Sequence, residues 1–175
     1  MKNLFLLIVM TLTLSSCNKD DPKPIAEIDK LPPATQTGAN TFGCLLDGIA
    51  FIPDNLPNSK NYFYQFTSGN YYFVIGASNH KNNDLNVIRL RTEKKQIFQG
   101  QTYDLYEWND GNATGNYTKN NIELYTTHLN TGKLTIIKLD ETNQIVSGTF
   151  WFDVQDINGI IHQIRNGRFD VQYTN

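Results

Sequence analysis

Val146-Ser147-Gly148-Thr149-Phe150-Trp151-Phe152-Asp153-Val154 decides the fold. Val146, Gly148, Phe150, Phe152 and Val154 fall on one face of an extended chain, and Ser147, Thr149, Trp151 and Asp153 fall on the other. A strand with one face on a core and one in water needs this period of two, whereas a helix of 3.6 residues per turn would scatter the same side chains. Phe169, Val171 and Tyr173 alternate likewise with Arg168, Asp170 and Gln172, so the C-terminal strand is expected on the same core. Upstream the period recurs between frequent turn signals. Asp47-Gly48 separates 42–46 from 49–53, and Ser68-Gly69-Asn70 separates 62–66 from 71–77, each supplying residues that tolerate positive φ. In 85–91 the apolar parity switches after Val87, which predicts a bulge or a strand covered on both faces. Further strands are expected over 102–107, 117–127, 133–140, 145–154 and 160–173, the last broken at Asn166-Gly167. About nine or ten strands joined by short turns predict an all-β domain over 42–175, mostly an antiparallel meander. One open sheet of that size would leave an apolar face wet, so a two-sheet sandwich or a flattened barrel is expected.

The N-terminus reads differently. Lys2 precedes an uncharged run, Leu4 to Leu14, of a length suited to a signal peptide and too short to span a bilayer, so residues 1–16 are read as a signal peptide. Leu14-Ser15-Ser16-Cys17 resembles the lipobox of bacterial lipoproteins, which implies cleavage before Cys17 and lipid attachment to its thiol. Several acyl chains on one residue anchor far more firmly than one. Residues 17–41 hold four of the six prolines, Pro22, Pro24, Pro32 and Pro33, with few large apolar side chains, and are read as a flexible tether. Lys19, Asp20 and Asp21 directly follow Cys17 and resemble the export signal that carries Bacteroidota lipoproteins to the cell surface. The expected location is the outer membrane by lipid anchor, on the cell surface, with the periplasmic leaflet as the alternative.

Composition narrows the partners. The 175 residues carry 15 basic and 17 acidic side chains, a net charge of −2, which removes the electrostatic basis for nucleic-acid binding. Two cysteines, one of them Cys17, cannot build a disulfide framework, and Cys44 between Phe42 and Leu45 is read as buried.

The search for chemistry finds no catalytic constellation and no metal-ligand spacing, so no cofactor is expected. His80, His128 and His162 stand alone and are read as surface or satisfied residues. Trp108-Asn109-Asp110-Gly111-Asn112 lacks the spacing of a calcium loop and is read as a turn. Arg168 and Asp170, two apart on the wet face, are read as a structural ion pair. Aromatic residues crowd the first two thirds of the domain, and Tyr71, Tyr103, Tyr106 and Trp108 are the candidate ligand contacts, because exposed rings on a sheet can stack on sugars. The function expected is a non-enzymatic binding or scaffold domain, with a carrier of a glycan, lipid or other small hydrophobic ligand as the alternative.

Thr37-Gly38-Ala39-Asn40-Thr41-Phe42-Gly43-Cys44, Asp47-Gly48 and Pro53 recur with Ser147-Gly148-Thr149-Phe150 and Gly167-Arg168-Phe169-Asp170-Val171 in a pattern that resembles an uncharacterised Bacteroidota lipoprotein family of the Flavobacterium type, a domain of unknown function. The resemblance runs from Thr37 to Tyr173. It implies the location and the β fold, and it implies no activity and no catalytic residues.

Overall fold

The computed structural model describes residues 24–81 and 83–175. The expected signal peptide, Cys17, Lys19, Asp20 and Asp21 lie outside the described residues. After one turn of 3-10 helix at Glu27–Lys30 come eleven strands: β1 Thr41–Leu46, β2 Ile49–Phe51, β3 Lys60–Thr67, β4 Asn70–Lys81, β5 Asp84–Thr92, β6 Thr102–Leu105, β7 Ala113–Lys119, β8 Ile122–Tyr125, β9 Gly132–Asp140, β10 Ile145–Gln155 and β11 Ile161–Gln172. They form one sheet in the order β2-β1-β11-β10-β9-β6-β7-β5-β4-β3, with β8 on β7. The domain is all-β, as the period of two requires, and sandwich-like, with one sheet folded over so that its halves face each other. Every ladder is antiparallel except the single β6–β7 pair, Leu105 with Ala113. At the far edge, β3 is stitched to the chain end: the Tyr64 amide donates to the Thr174 carbonyl at 3.0 Å and the Thr174 amide to the Tyr62 carbonyl at 3.0 Å.

The core lies between the two halves. Phe152, Val146 and Val154 of β10 are fully buried, whereas Trp151, on the other parity, is 37% exposed. Phe150 meets Phe42 at 5.4 Å and Phe169 at 6.4 Å, and Phe169 meets Phe73 of the opposite half at 6.5 Å. These rings fill the interior. Two glycines make room for them: Gly148 stands opposite Phe169 and Gly167 opposite Phe150 in the β10–β11 ladder. A Cβ on Gly167 would sit 2.5 Å from the Phe150 ring, and one on Gly148 would sit 2.7 Å from Phe169. Each strand thus carries a Gly-x-Phe triplet whose glycine receives the partner's ring.

Four details depart from expectation or decide between its alternatives. The strand count is eleven, because the segment 117–127 is two strands: Asn120 and Asn121, both at positive φ (48° and 70°), turn the chain between β7 and β8. The side-chain oxygen of Asn120 also accepts from the Leu85 amide at 2.9 Å, which ties that turn to β5. Strand β11 runs through Asn166-Gly167 unbroken, and the extra residue, Asn166 at φ 52°, is absorbed by a register shift against β1 and β10. Strand β5 carries no bulge, since its ladder with β4 runs without a shift from Thr92 to Asp84; Asn86, Val87 and Ile88 are consecutively buried, so it is covered on both faces.

The fourth concerns Asp170, which shares the parity of the wet face yet is 1% exposed. It makes no ion pair with Arg168 among the described residues. Its carboxylate accepts from the Thr35 hydroxyl (2.6 Å), the Thr37 hydroxyl (3.3 Å) and the amides of Thr37 (2.9 Å), Gly38 (2.8 Å) and Ala39 (3.2 Å). Residues 35–39, in the stretch read as a tether, therefore lie over β11. Farther back, Leu31 is buried and Glu27 accepts from the Ala50 amide at 2.8 Å. Burial opposes the charge on Asp170, but the hydroxyl and the three amides outweigh it and hold the carboxyl below its usual range.

Candidate functional site

At one end of the folded sheet, the β1–β2 turn, the ends of β4, β5 and β7 and the start of β11 surround an open cleft of about 220 Å³. Its geometry begins with Asp47. Asp47 and Gly48, at φ 50° and 80°, make the tight turn that their residue types predict. The turn delivers the Asp47 carboxylate to β11, where one oxygen accepts from the Gln163 amide at 2.7 Å and the other lies 2.7 Å from Nδ1 of His162. A carboxylate only accepts, so Nδ1 carries the proton and Nε2 is left as the acceptor of the neutral ring. The His162 and Tyr117 rings meet edge to face with centroids 5.2 Å apart.

Tyr117 forms the floor. It is 2% exposed, and its hydroxyl donates to Oδ1 of Asn86 at 2.8 Å. Asn86 stands directly opposite Asn79 in the β4–β5 ladder, its amide 3.5 Å from Oδ1 of Asn79, and Asn79 in turn donates to the Ile52 carbonyl at 3.0 Å. Burial, with Asp47 and Asp84 adding to it, pushes the Tyr117 hydroxyl up to about 12, so it stays a donor at any physiological pH. On the rim, Lys119 pairs with Asp84 at 3.2 Å, and Lys81 also lines the opening. Asn120 and then Lys119 hold the Asp84 carboxyl below its usual range. The result is a small concave surface of fixed amide, hydroxyl, imidazole and carboxylate groups beside the apolar side chains of Leu46, Ile49 and Phe51, a composition that suits a small polar molecule with some apolar surface.

Of these residues, the sequence singled out Asp47 for its turn and His162 as an isolated histidine. Tyr117 belonged to the crowded aromatic residues, whereas Asn79 and Asn86 carried no signal, because what joins the three is cross-strand register. The other two histidines follow the same local pattern as His162: Nδ1 of His80 lies 2.8 Å from Asp54, and Nδ1 of His128 lies 2.8 Å from Glu107. Hydrogen bonds from the His128 side chain and amide lower the Glu107 carboxyl to about 2. Among the described residues no three His, Cys, Asp or Glu side chains gather as a metal-binding group.

None of the four aromatic candidates lines this cleft. Tyr71 stacks on Tyr64 at 5.6 Å and meets Phe66 at 4.7 Å, and the Tyr103 hydroxyl accepts from the Phe98 amide at 2.8 Å. Both rings are partly buried against the core, and Tyr71 also lines a surface cleft with Tyr64 and Tyr173. Tyr106 and Trp108 are exposed, Trp108 by 49%, and Trp108 stacks on Tyr125 at 5.7 Å. Cys44 is fully buried, and burial pushes its thiol up.

A family model described as a domain of unknown function matches residues 54–171, the span from just before β3 almost to the end of β11. Asn79, Asn86, Tyr117 and His162 lie within the match. No curated protein and no solved structure matches the chain. No helix among the described residues is long and apolar enough to cross a membrane.

Proposed function

From a chain that belongs to the family described as domain of unknown function DUF6252, we propose a surface lipoprotein that binds a small polar ligand without transforming it. In this reading the protein is of Bacteroidota type. Cys17 carries the lipid in the outer membrane, and Lys19, Asp20 and Asp21 direct it to the cell surface. The lipobox-like Leu14-Ser15-Ser16-Cys17 and the charged residues directly behind it support the location. The observation that carries the binding reading is the floor of the end cleft, where Tyr117, Asn86 and Asn79 form one chain of fixed donors and acceptors beside the His162–Asp47 pair. Groups held this way by strand backbone are preorganised, so a ligand matched to them loses little entropy on their account. Rings of Phe42, Phe73, Phe150 and Phe169 fill the interior, which favours a site at the end of the sheet over a carrier cavity inside it. Neutral sugars, with paired hydroxyls above an apolar ring face, are the ligand class that such a surface suits.

The location is tested by labelling cells with radioactive palmitate and by adding protease to intact cells. Label lost in Cys17→Ala, and cleavage without lysis, are the expected results; label retained in that variant overturns the anchor. The site is tested by titrating the lipid-free protein with neutral mono- and disaccharides and following amide NMR shifts. Shifts centred on Asn79, Asn86 and His162 are expected, and shifts that avoid all three overturn the assignment.

A further inference from the structure

On the outer face of β3, β4 and β5, remote in sequence position from Asp47 and His162, a second cleft of about 350 Å³ is lined by Phe63, Tyr72, Val74, Arg89, Arg91 and Glu93, among others. Its unusual member is Arg91. Val74 stands beside it on β4 and Thr114 on β7, so it projects from the middle of a paired sheet. Its guanidinium lies over the Trp108 ring, 4.3 Å from the centroid. Its Nε is buried and has no hydrogen-bond partner, and among the described residues no carboxylate comes within ion-pair distance. The two nearest acids are engaged elsewhere. Glu93 accepts from the Trp108 indole at 3.0 Å, and Glu123 faces Arg89 at 3.6 Å and accepts from the Tyr125 hydroxyl.

A guanidinium cannot shed its proton at physiological pH, so a half-buried and unpaired one carries a desolvation cost that a ligand anion relieves. Desolvation is also the leading influence on this group, lowering the affinity of Arg91 for its proton. We propose that Arg91 and the Phe63–Tyr72 wall form a binding site for a carboxylate-bearing sugar, a uronic acid unit of an acidic glycan. The carboxylate pairs with the fork of Arg91 N–H donors, which Trp108 holds flat from one side. The sugar's C–H face rests on Tyr72 and Phe63, while Asn61 offers a polar group to its hydroxyls. An acidic peptide is the less suitable occupant. Extended peptides bind sheets through a free backbone edge; here β4 and β5 are paired on both sides, and the edge of β3 is taken at Tyr62 and Tyr64 by hydrogen bonds with Thr174.

The test uses the full mature protein without its lipid and a trigalacturonic acid probe, compared with the same trisaccharide after reduction of its carboxylates to alcohols. Calorimetry gives the affinity, and the indole N–H resonance of Trp108 gives the place. The acidic probe is expected to bind and to shift that resonance, and its binding weakens as salt rises. Reduction of the carboxylates, or Arg91→Gln, is expected to weaken binding about tenfold or more, the range for loss of a charge-assisted pair. Arg91→Lys keeps the charge and loses the fork, and serves if the Gln variant folds poorly; it is expected to bind measurably more weakly than the native protein. Equal affinity for the acidic and reduced probes, an unmoved Trp108 resonance, or binding of acidic peptides but not of the trisaccharide each overturns the proposal. An Asn86→Ala variant leaves this affinity unchanged if the two clefts are independent, and equal loss at both sites overturns their separation.

Discussion

Replacing Asp170 by Asn removes one charge from a side chain of nearly the same shape, and the structure indicates what that costs. One carboxylate oxygen accepts from Thr35, Ala39 and both the hydroxyl and amide of Thr37, and the other accepts from the Gly38 amide. A carboxamide has one acceptor oxygen and one NH₂. If its oxygen takes the crowded position, its NH₂ faces the N–H of Gly38, donor against donor; if it flips, up to four donors lose their acceptor. Hydrogen bonds to a charged group contribute roughly 1.5–3 kcal/mol each but do not add, and donors left unpaired in a buried site cost about 1–3 kcal/mol each, which places the whole loss at about 3–5 kcal/mol. At roughly 2–4 °C per kcal/mol for a domain of this size, the melting temperature falls by roughly 6–20 °C. Urea unfolding of both proteins measures the difference, and hydrogen exchange at the Thr37, Gly38 and Ala39 amides should quicken before global unfolding. The sign with pH follows from a lowered native pKa: the advantage of Asp170 is full above the unfolded carboxylate range, about 3.9, and disappears as pH falls through the lower native value. A loss under about 1 kcal/mol with those amides still protected would refute the reasoning.

Gly167→Val places a branched side chain where the Phe150 ring lies, and overpacking by about 1–3 kcal/mol is expected by urea unfolding, with a smaller loss for Gly167→Ala. Tyr117→Phe leaves Oδ1 of Asn86 without its donor; a loss of about 1–3 kcal/mol is expected, together with sugar-induced shifts at Asn86 that are weakened or absent. Native protein should resist a soluble maleimide at Cys44 until urea unfolds it, since the thiol is buried and its pKa raised; rapid labelling in buffer contradicts this. Changing Lys19, Asp20 and Asp21 to Ala should leave palmitate labelling intact and abolish protease access on intact cells.

Trp108 shows how far the sequence reaches toward a site. Its type and its turn marked it as an exposed ring, but Arg91 and Tyr125 reach it from other strands, one β5 and the other the short β8, so no local spacing announces them. Tyr71 and Tyr103 were equally plausible by type. Their packing on the core followed from which face the ladder turned inward. The end cleft is a sharper case, because the Asn79–Asn86 pair exists only once β4 and β5 are in register.

The sequence by itself determined the period of the strands, the turns at Asp47-Gly48 and Ser68-Gly69 and the apolar identity of the core, because each depends on residues within a few positions of one another. It also carried the N-terminal motifs. What it left open was which strands lie side by side, and that is a long-range matter. The strand holding Asp170 presents it to what should have been water, and only the return of residues 35–39 across the sheet makes that position interior. The Gly-x-Phe triplets of 148–150 and 167–169 were visible as strings, but their meaning, each glycine receiving the other strand's ring, required antiparallel pairing at one specific register. Side chains alternate by a local rule of backbone geometry, whereas their partners are chosen by the packing of the whole sheet.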